Sequence, residues 1–216
     1  MVNQSTEDYI KGIYKLGQHG KPVSTSELAK HLSVGDGSVT DMMKKLSTKM
    51  LIQYTPYKGV LLTGSGKKLA LRMVRRHRLW EMFLVKYLGY RWDEIHGEAE
   101  QLEHVTSDEL DRRLDRLLGY PKFDPHGDPI PDRDGEIKND EQTALTEFES
   151  GDAVTIVRVT DDPDVLQHAA ELGLQLKTRI LVKQIMKFDG SLKVKVGRRE
   201  RFISRELGDA IFGKLS

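Results

Sequence analysis

Three histidines and three glutamates in the middle of this chain fall at spacings that suit a metal site. His77 and Glu81 are four residues apart and share one face if the segment is helical. His96, Glu100, Glu103 and His104 form a second group. At about 100° per residue, positions 100, 103 and 104 lie roughly 40°, −20° and 80° from His96, a stripe roughly 100° wide. Two facing helices carrying such donors can hold one or two divalent cations. Imidazole and carboxylate donors without a thiolate suit Mn²⁺, Fe²⁺ or Zn²⁺. Mn²⁺ stands at the weak end of the affinity order and needs a carboxylate-rich set, which this is. Imidazoles bind when neutral and carboxylates when ionised, so affinity should fall at acidic pH. The competing reading is a network of Glu–His and Glu–Arg pairs on a solvated face.

The chain that must position these donors has 216 residues, the length of about one to two domains. With 38% hydrophobic and 31% charged residues it can build real cores and is not a disordered chain. No apolar run approaches the ~20 residues needed to cross a bilayer, and Met1 to Ser5 carries no signal-peptide core. A cytoplasmic protein is therefore expected, neither membrane-bound nor secreted. Zero cysteines exclude disulfides, thiolate zinc fingers, iron–sulfur clusters and cysteine nucleophiles. The net charge of +1 conceals an asymmetry. Residues 1–75 carry a net +7, residues 76–151 a net −9 and residues 152–216 a net +3. A basic first third and an acidic, histidine-bearing middle point to one site for polyanions and another for cations.

Periodicity supplies the elements. Residues 7–16 read as an amphipathic helix, and Ser24-Thr25-Ser26-Glu27 as a capping box opening a second. Residues 33–37 are a turn, and a third helix is expected over 38–49 with Val39, Met42, Met43 and Leu46 inward. Residues 52–54 and 59–62 read as strands of a hairpin. This order is that of a winged helix-turn-helix. Thr63 caps a long helix over 64–88, and two more are expected over 91–105 and 107–118. Residues 120–135 hold four of the seven prolines and read as loop, and a linker is expected over 139–151. Beyond it the period becomes two: residues 154–159, 180–185 and 192–196 are strand-like around a short helix over 163–172. A small SH3-like β-barrel is the simplest packing for that part. The fold class expected is mainly α with a small β domain.

In the third helix Ser38, Thr40 and Lys44 face outward, where a recognition helix reads base edges. Lys45, Lys49, Lys67 and Lys68 suit phosphate contacts, as does Lys58 at the wing tip. Asp41 is awkward beside phosphates: it either accepts from a cytosine amine or points away. A small helical bundle with ordinary surface lysines is the bland alternative.

Several motifs together resemble the DtxR/MntR family of metal-dependent transcriptional repressors. They are Glu7-Asp8-Tyr9-Ile10, Ser38-Val39-Thr40, Arg76-His77-Arg78-Leu79, the stretch from His96 to His104, and His126-Gly127-Asp128-Pro129-Ile130-Pro131, followed by the SH3-like module. The resemblance implies a homodimer that binds double-stranded operator DNA, with metal as co-repressor and a middle domain that both dimerises and binds the ion. It places metal positions on Asp8, His77, Glu81, His96, Glu100, Glu103 and His104. Iron-sensing members typically carry cysteine at the position of Glu100 and methionine at that of Asp8, so the two carboxylates here imply Mn²⁺, with Fe²⁺ as the alternative and Zn²⁺ or Co²⁺ as substitutes in vitro. The short form of the manganese branch has a second first-helix carboxylate where this sequence has Lys11, so its close two-ion site is not implied. In long-form members the SH3-like domain lends a ligand, for which Asp162 or Asp164 are candidates; each also suits a helix cap.

The domains expected are a winged helix-turn-helix over 1–75, a helical metal-binding and dimerisation domain over 76–138, the linker over 139–151 and the SH3-like domain over 152–216. The function expected is a Mn²⁺-activated repressor of metal-uptake genes, not an enzyme, with no small organic substrate and no membrane partner. A di-metal hydrolase is the enzymatic rival, though no nucleophile or phosphate loop accompanies the donors. A protein bound to DNA regardless of metal is the other.

Overall fold

The computed structural model describes residues 3–17, 20–137 and 141–216. Helix α1 (Gln4–Leu16) starts earlier than periodicity suggests, because the Asn3 side chain caps it, accepting from Thr6 N at 3.1 Å. Helix α2 (Thr25–Leu32) has the full capping box of Ser24 and Glu27. Helix α3 (Asp36–Thr48) begins two residues before the expected Ser38, from Gly35. Strands β1 (Ile52–Thr55) and β2 (Gly59–Leu62) pair antiparallel as the wing, and Thr63 Oγ1 accepts from Gly66 N to start α4 (Gly64–Leu88).

Helix α5 (His96–Val105) is shorter than expected, since Arg91 to Glu94 form a turn held by a bidentate Arg91–Asp93 pair. Helix α6 (Asp108–Leu118) is capped by Ser107. The proline-rich segment after it is organised by carboxylates: Asp124 Oδ1 accepts from His126 N and Asp128 N, and Asp132 Oδ1 from Asp134 N and Glu136 N.

The described part of the expected linker is not a linker. Thr143–Ala144 is a strand, β3; Leu145–Glu147 is a 3₁₀ turn; and Leu145 and Phe148 are buried in the carboxy-terminal core. Two apolar side chains inside a polar stretch suffice to recruit it. Residues 138–140, which include the start of that linker, lie outside the described residues. Strands β4 (Ala153–Val159), β5 (Arg179–Ile185) and β6 (Leu192–Val196) and helix α7 (Pro163–Leu172) stand close to where the pattern puts them. The pattern did not show β7 (Arg199–Ile203), the short helix α8 (Arg205–Asp209) or β8 (Ile211–Leu215). The sheet order is β3-β8-β4-β5-β6-β7, antiparallel throughout, with a register shift on β5 between Val182 and Gln184. This is an SH3-like β domain following a helical amino-terminal part.

The chain resolves into two compact units. The first comprises Met1–Trp80, Glu100–Leu117 and Ile130–Ile137; the second comprises Glu81–Ala99, Leu118–Pro129 and Lys138–Ser216. The first is built on Tyr9, Ile10, Ile13, Leu28, Val39, Met43, Leu46, Ile52 and Val60, which lock α1, α2, α3 and the wing together. The second is built on the alternating inward residues of the large sheet, such as Val154, Ile156, Val182 and Val194, closed by Leu166 and Ala169 of α7.

Candidate metal centre

The sequence-derived donors separate into two clusters, one in each unit. In the first unit, α1 lies against α4 and α5. His104 of α5 is bracketed by carboxylates of α1: Nδ1 is 2.8 Å from Glu7 Oε2 and Nε2 is 2.9 Å from Asp8 Oδ1. A neutral ring donates through one nitrogen and presents a lone pair on the other. Glu103, fully buried, accepts from Lys11 Nζ at 2.7 and 2.8 Å through its two oxygens, and lies 2.6 Å from His77 Nδ1. Glu100 is half-exposed, 3.8 Å from Lys11 Nζ. Burial acts to raise the Glu103 carboxyl, but the His77 hydrogen bond and the Lys11 charge outweigh it and hold the group below the usual range. Asp8 is shifted upward, first by burial and then by Glu100 and Glu103, against the pull of His104 and Lys11.

The second cluster assembles around Glu81, one turn after His77 on α4 and 1% exposed. His96 opens α5 with Nδ1 4.0 Å from Glu81 Oε1 and 3.2 Å from Asp161 Oδ2. His126 comes from the Asp124 turn and is wholly buried. Its Nε2 lies 2.8 Å from the carbonyl oxygen of Trp92, an atom that only accepts, so Nε2 carries the proton and the neutral ring turns its Nδ1 lone pair inward. That Nδ1 has no hydrogen-bond partner among the described residues; it stands 3.9 Å from Glu81 Oε2 and 3.8 Å from Asp161 Oδ1. Ligand atoms of Glu81, Asp124 and His126 fall within 4.8 Å of one another, as do those of Glu81, His96 and Asp161. Burial alone would lower the His126 pKa, but Glu81, Asp124 and Asp161 outweigh it and raise it. A buried lone pair facing two carboxylates calls for a cation, so the residues fit a divalent ion.

Local backbone explains why His126 can sit there. Its carbonyl accepts from Val159 N at 2.9 Å, pinning the turn to β4. The next residue is Gly127 at φ +90°, where a Cβ would stand 2.0 Å from the Val157 carbonyl oxygen. Only glycine permits that approach.

The structure thus brings Asp8, His77, Glu100, Glu103 and His104 around α1, and Glu81 and His96 into the second cluster. Asp162 and Asp164 join neither cluster. Asp162 caps α7, accepting from Asp164 N and Val165 N, and Asp164 lies exposed in the first turn of that helix. The carboxylate at the cluster is Asp161. Glu7, Asp124, His126 and Asp161 escaped the donor reading. His126 stood in a quoted motif, and Asp124-Pro125-His126 is a usable donor spacing, but nothing local marks Asp161 over its neighbours.

Of the residues read as DNA contacts, Ser38, Lys44, Lys45, Lys49 and Lys58 are exposed. Thr40 is half-buried and its hydroxyl donates back to the Asp36 carbonyl at 3.0 Å. Asp41 lies 3.4 Å from Lys44 Nζ, which balances its charge on the same helix. Tyr57, with φ +64°, stands fully exposed beside Lys58 at the wing tip.

Comparison with known proteins agrees with this anatomy. Residues 1–60 match the model for the iron-dependent repressor amino-terminal DNA-binding domain, residues 63–132 that for the iron-dependent repressor metal-binding and dimerisation domain, and residues 143–215 that for the FeoA domain. The iron-dependent repressor IdeR of Mycobacterium leprae is 30% identical over 192 residues, covering 83% of this chain and 84% of that protein. A solved manganese-dependent transcriptional repressor in complex with manganese superposes with a TM-score of 0.89 at 38% identity, covering 98% of this chain and all of that one. ScaR with bound Zn²⁺ superposes with a TM-score of 0.83 at 36% identity over 98% of this chain and 99% of that one. With repressor domains matched along nearly its whole length and cation-fitting donors in both units, the chain belongs to the DtxR/MntR family of divalent-metal-dependent, DNA-binding transcriptional repressors.

Proposed function

We propose that the chain is a Mn²⁺-activated repressor that binds operator DNA as a homodimer in the cytoplasm and controls metal-uptake genes. The observation that carries the reading is the His126 lone pair, fixed by Trp92 and aimed at Glu81 and Asp161. In this reading Glu81, Asp124, His126 and Asp161 bind one ion, with His96 as the adjacent imidazole. Asp8, Glu100, Glu103 and His104 bind another. Both sets are oxygen-rich and sulfur-free, which favours Mn²⁺ relative to sites built on thiolate. Relatives described as manganese-dependent support the same choice, while the iron-dependent IdeR keeps Fe²⁺ as the alternative.

A bound ion supplies two positive charges that hold carboxylates of separate segments together. The protein's own part is to link that charge to α1, because Asp8 is on the helix whose Tyr9, Ile10 and Ile13 pack into the core of α2, α3 and the wing. Ser38, Thr40 and Lys44 then read base edges, and Lys45, Lys49, Lys58, Lys67 and Lys68 hold phosphates. The domain division that goes with this function is 1–75 for DNA, 76–138 for metal and dimerisation, and an SH3-like domain extended back to residue 143.

The test is operator binding by metal-stripped protein, titrated separately with Mn²⁺, Fe²⁺, Zn²⁺ and Co²⁺. Mn²⁺ should tighten binding by roughly 5–150-fold, the usual range of such coupling. Equal affinity with and without every ion, under chelator control, overturns the reading; a response to Fe²⁺ but not Mn²⁺ selects the iron alternative.

A further inference from the structure

Lys11 is the least expected member of the first cluster. It lies in the third turn of α1, is 4% exposed, and its ammonium sits inside a set of metal-binding side chains. Nζ is 2.7 and 2.8 Å from the two oxygens of Glu103, 3.3 Å from His77 Nδ1 and 3.8 Å from Glu100 Oε1. Burying an ammonium costs several kcal/mol unless it is closely paired, so the chain places a charge here only because Glu103 receives it through both oxygens. Two carboxylates and an imidazole around one positive centre is also what a divalent ion would require. The ammonium and a cation at that point exclude each other: they need the same Glu103 oxygens, and like charges at contact repel.

The remaining donors are Asp8, three residues before Lys11 on the same helix, and His104. Asp8 Oδ1 and His104 Nε2 are 2.9 Å apart, and Glu103 Oε1 is 3.6 Å from the same His104 nitrogen. Glu103 therefore gives both oxygens to the ammonium, and one of them, Oε1, also stands beside the Asp8–His104 pair.

We propose that the Lys11 ammonium is a tethered cation filling the inner half of this cluster, so that the cluster accepts a single divalent ion, on the Asp8–His104 side, and α1 stays tied to Glu103 before any metal arrives. The inference rests on the reading of the first cluster as a metal site. It makes Lys11 a determinant of ion number and of the metal-free resting state. A neutral side chain at position 11 opens the inner place to a second ion and removes the tether.

The experiment compares parent, Lys11→Met, Lys11→Arg and Asp8→Ala proteins. Each is stripped, dialysed against excess Mn²⁺ and analysed for ions per chain, and the thermal midpoint is recorded with and without Mn²⁺. Asp8→Ala should bind one ion fewer than the parent, which tests the underlying site. Lys11→Met should bind one ion more than the parent, and Lys11→Arg the same number. Stripped Lys11→Met should melt roughly 5–15 °C below stripped parent, because Glu103 is left buried without its cation. Excess Mn²⁺ should recover most of that loss. An unchanged ion count in Lys11→Met, with a midpoint that Mn²⁺ does not recover, overturns the tethered cation while the Asp8 result keeps the site. No difference between Asp8→Ala and parent removes the site, and the proposal with it. If Lys11→Met fails to fold, Lys11→Gln is measured against the same two criteria.

Discussion

The two clusters answer the same electrostatic problem in opposite ways. Around α1 the chain supplies its own positive charge: Lys11 neutralises Glu103, and His104 is clasped by Glu7 and Asp8. Around Glu81 the donors do not come from one pair of helices. Instead carboxylates from α4, the Asp124 turn and the segment after β4 converge on imidazoles, one of which presents a buried lone pair. The first arrangement is held together without metal. The second presents a buried imidazole nitrogen that a proton or a cation can fill. Two metal-facing clusters in one chain can therefore differ in what the ion changes: at one it adds to a formed structure, at the other it completes one.

The sharpest way to break this contrast is a pair of substitutions read by thermal melting. His126→Gln keeps a polar side chain and removes the imidazole ligand, so it should abolish most of the Mn²⁺-induced rise in the midpoint while moving the stripped protein by only a few degrees. Glu103→Gln should do the reverse, lowering the stripped protein by roughly 5–15 °C, because a buried ammonium loses its partner. If both substitutions act alike in stripped and loaded protein, the clusters are not distinct in kind.

A smaller effect separates the clusters by pH. His126 has its pKa raised above the ordinary histidine value of 6.5 by surrounding carboxylates, against burial. Its charge-linked contribution to metal-free stability is present in full below pH 6.5 and is lost as pH rises through the higher folded pKa. An ion needs the neutral ring, so Mn²⁺ binding at this cluster should weaken from neutral pH downward, by about tenfold per unit for each proton displaced. Glu103 is shifted the other way, below 4.5. Its contribution is present above pH 4.5 and is lost only as pH falls through its lower folded value. Isothermal titration with Mn²⁺ at pH 8, 7 and 6, beside melting of stripped protein over the same range, should show affinity falling while the Glu103 tether persists. Constant Mn²⁺ affinity across that range removes His126 from the ligand set.

The smallest expected effect is a control outside both clusters. Lys58→Ala should leave ion number and melting unchanged and reduce the log–log salt slope of operator binding by about 0.9, the signature of one lost phosphate contact. An unchanged slope means the wing tip does not touch DNA.

Much of this anatomy is legible in the sequence, and the failures have physical causes. The capping box at Ser24, the Thr63 cap and the α4 pair His77–Glu81 are local, and local rules find them. The stripe from His96 to His104 was in phase, yet it serves two clusters: eight residues of helix advance about 12 Å, and angular phase carries no axial distance. His96 therefore meets Glu81 and Asp161, while Glu103 and His104 meet α1. Asp124, His126 and Asp161 lie in turns, where no period exists to mark them. Strand β7 escaped because Arg199, Glu200 and Arg201 break alternation on a strand that ends the sheet order among the described residues, a position where charge is tolerated. Leu145 was lost for the opposite reason, a single buried leucine inside a polar stretch.

The dispersal of the second cluster along the chain also gives the protein a birth order. Every member of the first cluster lies at or before His104, whereas the second waits for Asp161, 57 residues later. At the usual elongation rates of about 5–20 residues per second, a ribosome delivers Asp161 roughly 3–11 s after His104. During that interval the nascent chain holds a neutralised Glu103 but lacks the Asp161 carboxylate that stands nearest His96, and for most of it lacks β4, the backbone against which Gly127 seats His126. A chain arrested or cleaved there is born with one ion-facing cluster and without the other.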